Sequence, residues 1–266
     1  MTETYSVHEG STPLLISVPH DGRFLPDSIE QRMSSAGRDL PDTDWHVAKL
    51  YEFALELGAS MLVADCSRYV VDLNRPSDDA ALYEGQVATG ICPQCTFAGD
   101  EIYLDGEAVD GNEQAERVQT FWQPYHSVIE GKLSSLRKEY GYALLWDAHS
   151  IPSQVPRLFD GELPVLNIGT NDTMSCAVTI ADDVYTVASS SDYAAVINDR
   201  FKGGYITRHH GDPDNNVHAI QLEIAQRAYM NEDSRAYDEA MAQKLRDSLR
   251  SMLNTFLESA EQHNHR

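Results

Sequence analysis

Basic side chains are scarce in this sequence. Lys and Arg number 20 against 42 Asp and Glu, a formal net charge of −22. Such a surface repels phosphate backbones and anionic lipid, which argues against nucleic acid and membranes as partners. It also means that an anionic substrate must be met by local arginines working against the overall field. Long apolar runs are missing as well. None approaches a membrane span, and residues 1–10 are polar, without the apolar stretch of a secretory leader. Cytoplasm is the expected setting. Cysteine is limited to Cys66, Cys92, Cys95 and Cys176. Cys92 and Cys95 form a lone CxxC with no second pair or histidines at zinc-site spacing. Its flanks read as loop, so two thiols in a reducing compartment are expected. Also absent are an HExxH helix, a GxSxG elbow and a phosphate-binding glycine loop. No internal repeat or linker divides the chain, and 266 residues suffice for one domain over 1–266 with a core that needs no staples.

What is present is a series of apolar runs that end on polar residues. Residues 142–150, YALLWDAHS, read as a strand buried on both faces. Asp147 and His149 are two apart and so share one side, at the end of the strand where open α/β sheets bind ligands. An Asp beside a His orients or polarises the imidazole. Residues 14–18, LLISV, repeat the pattern and end on Pro19-His20-Asp21-Gly22. In 217–225, VHAIQLEIA, Gln221 and Glu223 fall on one face and Ile220, Leu222 and Ile224 on the other; a buried Glu must be paired or used. Further strands are expected at 60–65, 163–168, 194–197 and 205–208, with 69–71 extended and a short strand near 101–104. Helices are expected after Asp44 as far as Gly58, over 112–140 ending at Gly141, over 173–187 and over 233–261. Residues 78–111 form a long excursion of the kind that often serves as a functional lid, and 262–266 a polar tail. Residue His126 lies near the apolar face of its helix and is expected to be structural.

Two stretches carry competing readings. Asp44 sits where an N-cap belongs, yet it is also a candidate metal ligand, and one oxygen cannot easily do both. Asp42 is the alternative carboxylate. In 67–76, SRYVVDLNRP, the planar fork of Arg75 suits a carboxylate or a developing oxyanion. Arg68 can serve the same pocket. The competing reading is an Asp72–Arg75 ion pair that pins the loop.

Pro19-His20-Asp21-Gly22, Asp42-Thr43-Asp44-Trp45-His46, the run from Ser67 to Arg75, Asp147-Ala148-His149-Ser150 and Gln221-Leu222-Glu223 occur in that order. Together they resemble the N-formylglutamate deformylase (N-formylglutamate amidohydrolase) family and, more distantly, the zinc carboxypeptidases and aspartoacylase-type deacylases, over residues 14–230. The resemblance implies a three-layer α/β/α fold with a mixed, mostly parallel central sheet, like that of the zinc carboxypeptidases. It implies hydrolysis of N-formyl-L-glutamate to formate and L-glutamate in histidine degradation. In the distant relatives a Glu ligand follows the first His by three residues; here that position is Arg23. The implied ligands of one zinc ion are therefore His20, His149 and Asp44, an open set suited to catalysis. Glu223 is implied as general base and then acid, and Arg75 as oxyanion stabiliser or carboxylate anchor. Arg68, Arg208 and the neutral Asn74 are candidates for the two substrate carboxylates, and Asp147 for holding His149. Ser150 is a strand-end hydroxyl rather than a nucleophile. The alternative readings are a zinc deacylase for another N-acyl amino acid, of formyl- or acetyl-aspartate type, and a metal-free binding protein of the same fold.

Overall fold

The computed structural model describes residues 4–80 and 89–265. Seven strands form one sheet: β1 (Tyr5–His8), β2 (Leu14–Val18), β3 (Ser60–Ala64), β4 (Ala143–Ile151), β5 (Leu166–Gly169), β6 (Ala195–Ile197) and β7 (Val217–Ala225). Their order is β1-β3-β2-β4-β7-β5-β6. Pairing is parallel from β3 through β2 and β4 to β7 and between β5 and β6, and antiparallel at β1–β3 and β7–β5. A small hairpin joins β8 (Met230–Asn231) to β9 (Ala236–Tyr237). The helices are α1 (Asp27–Glu30), α2 (Ser35–Arg38), α3 (Val47–Tyr51), α4 (Gly111–Arg117), α5 (Gln123–Tyr140), α6 (Val178–Ser189), α7 (Tyr205–His210) and α8 (Glu239–Asn264). The expected mixed, mostly parallel α/β sheet is present.

Alternation along the central strands divides the core. Leu144, Trp146 and Ala148 of β4 join Leu14, Ile16, Ile220 and Leu222 in a cluster with Ile180 and Val184 of α6 and Leu249, Met252 and Phe256 of α8. Ala143 and Leu145 turn the other way, with Leu15, Leu62 and Ala219, against Tyr125, Ile129 and Leu133 of α5. All nine residues of β4 and all nine of β7 are buried, which explains why both read as near-continuous apolar runs.

Several elements differ from the sequence expectation, three of them where a distant group satisfies the local backbone. Asp44 is not a helix cap. Helix α3 begins at Val47, after His46 in the left-handed region at φ 65°, and continues as a 3₁₀ turn over Glu52–Leu55. Its first free N–H groups go instead to Asp21, whose Oδ1 accepts from His46 N and Oδ2 from Ala48 N, both at 3.0 Å. Residues 68–70 form a turn and 69–71 no strand; Arg117 Nη1 donates to the carbonyls of Tyr69 and Val70 in place of a partner strand. Residues 205–208 are helical, not a strand: Asn74 Oδ1 accepts from Ile206 N at 2.7 Å and caps the first turn of α7 from outside. The long helix is broken by a π turn, Val118–Trp122, between α4 and α5. Helix α6 starts later than expected because Asn171, Asp172 and Thr173 all take positive φ. Near 101–104 there are isolated bridges, Cys95 to Glu101 and Met33 to Tyr103, rather than a strand. Helix α8 runs through Asn264 and so absorbs most of the expected tail. Of the excursion over 78–111, residues 81–88 lie outside the described residues. Among the described residues no helix is long and apolar enough to cross a membrane. All four cysteines are free thiols, Cys92 buried and Cys95 half-buried.

Candidate active site

The carboxyl ends of β2, β4 and β7 meet at one cavity. Parallel register sets His149 of β4 directly beside Glu223 of β7. His20 arrives two residues after β2, and Asp44 from the segment before α3. His20, Asp44 and His149 are each at least 97% buried, and a ligand atom of each lies within 4.8 Å of the other two.

The outward nitrogens of both imidazoles face carboxylates. His20 Nε2 donates to Asp72 Oδ1 at 2.8 Å. Its Nδ1 is buried without a hydrogen bond and lies 3.8 Å from Asp44 Oδ2. His149 Nε2 lies 3.1 Å from Asp147 Oδ1, and its Nδ1 donates to Asp44 Oδ2 at 3.0 Å. The Asn74 amide nitrogen sits 2.9 Å from His149 Nε2 and donates to Asp147 Oδ2 at 3.3 Å. Thr207 of α7 donates to the same oxygen. A side chain at Gly204 would collide with Asn74, its Cβ 2.3 Å from the amide nitrogen; glycine is needed there for the amide to pass.

Charge decides what this cluster can hold. Burial opposes ionisation of Asp44, but the hydrogen bond from His149 and the charges of His20, His149 and Arg68 keep its carboxyl below the usual range. Asp72 is likewise held well below it: burial is outweighed by Arg68, with His20 and Arg75 assisting. Burial pushes His149 down, but Asp147 and Asp44 raise it well above an ordinary imidazole. His20 goes the other way, lowered by burial and by Arg68. Burial drives Glu223 up to about 8, with His149 and Arg68 opposing and the Asp44 and Asp147 charges reinforcing. Arg68 is the guanidinium in contact with this group, 2.7 Å from Asp72 and 3.6 Å from Asp44. Several buried carboxylates therefore converge on few fixed cations.

A divalent cation fits that arrangement. Two imidazole nitrogens and one carboxylate oxygen are a zinc donor set, and ligand atoms around a four-coordinate zinc lie roughly 3.3 Å apart. The observed separations of 3.0 and 3.8 Å bracket that spacing. The orphaned Nδ1 of His20 has its lone pair on the same side, because its Nε2 proton is committed to Asp72.

The remaining expected residues divide. Asp42 is drawn away from the cluster: its Oδ2 accepts from Tyr69 Oη at 2.6 Å and from Phe97 N at 2.8 Å. Arg68, Asn74, Arg75 and Glu223 line the cavity of about 100 Å³ together with Thr89, Phe97, Arg200, Phe201 and Gln221. Arg208 is not among the lining residues; it sits on α7 and donates to Gly203 O. The anticipated Asp72–Arg75 pair does not form as such. Asp72 is taken by Arg68 and His20, while Arg75 donates to the carbonyls of Thr89 and Asn74. The Ser150 hydroxyl is engaged by Tyr229 and Gln226. Arg200 was invisible in the sequence, since it follows a short strand with no motif around it. Asp21 was visible as part of Pro19–Gly22, but nothing local tied it to the helix it caps.

The sequence profile of the family "N-formylglutamate amidohydrolase" matches residues 12–230. An N-formylglutamate deformylase of Pseudomonas putida is 46% identical over 259 residues, 97% of each chain. One from Pseudomonas aeruginosa is 48% identical over the same length and coverage. The crystal structure of N-formylglutamate amidohydrolase from Ralstonia eutropha JMP134 superposes with a TM-score of 0.79 at 24% identity, covering 97% of both chains, and so shares the fold. This chain belongs to the N-formylglutamate amidohydrolase family.

Proposed function

We propose that this chain hydrolyses N-formyl-L-glutamate to formate and L-glutamate in the cytoplasm, as a step of histidine degradation, with one zinc ion held by His20, Asp44 and His149. The observation that carries the reading is the convergence of that donor set with Glu223 on a single cavity that also presents arginines. The fold is read as three layers, α/β/α, of zinc-carboxypeptidase kind, and the chain as one catalytic domain. Bound zinc would acidify its water, polarise the formyl carbonyl and, by its charge, draw Glu223 down from about 8 into the range of a base. Glu223 takes the proton from the water that attacks the formyl carbon and delivers it to the leaving nitrogen. Asp72 fixes His20, Asp147 sets its charge beside His149, and Asn74, which lines the cavity, lies against His149 as well as being a candidate for a substrate carboxylate. Arg75 meets the developing oxyanion or one substrate carboxylate, and Arg200 replaces Arg208 as the second anchor. Arg68 offsets the buried aspartates beneath them.

Glutamate release from N-formyl-L-glutamate tests this in protein as purified, stripped with chelator and restored with zinc. Activity should fall on stripping and return with zinc. No activity in any sample with the fold intact sinks the formylglutamate assignment. A faster rate on N-formyl-aspartate would shift it to the aspartate-type substrate.

A further inference from the structure

A second group of histidines lies away from the active-site cavity, where α5 packs against α7. Residue His126 and Glu130 are one helical turn apart on α5, and His209 and His210 close α7. One ligand atom from each of Glu130, His209 and His210 lies within 4.8 Å of the other two. Residue His210 is 8% exposed and His126 2%, while Glu130 and the His209 ring face solvent.

The protons in this group can be placed. His126 Nε2 lies 2.9 Å from Leu73 O, and a carbonyl can only accept, so that nitrogen carries the proton. The two nitrogens of His126 meet only a carbonyl and the His210 ring, with no carboxylate on either, so a buried ring in that setting is neutral. His126 Nδ1 is then an acceptor, and His210 Nε2, 3.0 Å away, must donate to it. That leaves His210 with its lone pair on Nδ1 and no proton there. Stacking on Tyr205 at 4.7 Å orients His209, whose Nε2 lies 3.9 Å from Glu130 Oε1. Neutral imidazoles with one carboxylate at a solvent-facing edge are a donor set for borderline divalent metals, and a chain of charge −22 concentrates cations near its surface.

We propose that Glu130, His209 and His210 form a second, solvent-facing site for a zinc-class divalent cation that ties α5 to α7. Its consequence is positional. Helix α7 supplies Ile206 N to Asn74 and Thr207 to Asp147, the two side chains at His149 Nε2. His126 meanwhile holds the carbonyl of Leu73, next to Asn74 in the chain.

Zinc stoichiometry of the full chain, measured by equilibrium dialysis, tests the proposal against the double variant Glu130→Gln/His209→Ala. The variant should bind one equivalent fewer than the parent protein. His209→Ala alone should weaken the lost site at least tenfold. In thermal melts, zinc added beyond the tightest equivalent should raise the midpoint of the parent but not of the double variant. Equal stoichiometry in parent and double variant, or a zinc-dependent rise retained by the variant, overturns it. Because these readouts count metal rather than turnover, they stand whether or not the formylglutamate assignment does.

Discussion

The protein carries two clusters of histidine built on opposite electrostatic plans. At the β4–β7 edge the outward nitrogens of His20 and His149 each meet an aspartate, and a third aspartate lies between the rings. At the α5–α7 edge the fixed partner is a backbone carbonyl, the rings hand one proton along, and the carboxylate is exposed. Burial is comparable for His20, His149 and His126. What differs is the charge placed behind the rings. Aspartates behind imidazoles raise their basicity as ligands and concentrate negative charge at one buried point; a carbonyl fixes a tautomer and adds no net charge. Only the first cluster also holds a buried carboxyl with no hydrogen bond to another described residue, Glu223, aimed into a cavity.

The largest way to break that contrast is to remove the proposed metal and titrate Glu223. In metal-stripped protein its pKa stands at about 8 against an ordinary 4.5. A carboxyl raised on folding contributes stability that is fully present below pH 4.5 and is lost as pH rises through about 8. Stripped protein should therefore lose on the order of a few kcal/mol across that window, and Glu223→Gln should flatten the loss. Denaturant melts from pH 5 to 8.5 check this; an identical slope in the variant would show that the burden lies on other groups.

A smaller effect makes one half of the first cluster resemble the second. Asp72→Asn keeps an acceptor for His20 but removes its charge, and zinc affinity should fall about 10–100-fold. Competition with a chromogenic chelator measures it, and unchanged affinity would remove Asp72 from the account. The smallest effect concerns the scaffold that both plans need. Asp21→Ala deletes the distant cap of α3 and should cost about 1 kcal/mol of stability, read as a shifted denaturation midpoint. A larger loss of metal than of stability would mean that Asp21 acts through His20 rather than through the helix.

Much of the first cluster could be read from sequence because strand chemistry is local. The apolar runs of β2, β4 and β7 and the polar residues that close them lie within a few positions of each other, and alternation set Asp147 with His149 and Gln221 with Glu223 on their faces. The errors lie where one segment completes another from far away. Asp21 took over the cap expected of Asp44 and left that carboxylate to His149 and Ser150 N. Asn74 turned an expected strand into α7, and Arg117 left 69–71 without need of a strand partner. Arg200 reaches the cavity through a loop path that no periodicity encodes.

The side-by-side register of His149 and Glu223 has a consequence for how such a protein can change over time. The spacing between the proposed base and the proposed ligand belongs to a fully buried parallel ladder, where a one-residue slip would turn a side chain to the opposite face. Thr89, Phe97, Arg200 and Phe201, which shape the rest of the cavity, come from connecting segments, the part of a fold that tolerates replacement. On the proposed function, selection can therefore retune which acyl amino acid is accepted by editing loops, while His149 and Glu223 are inherited side by side with the sheet.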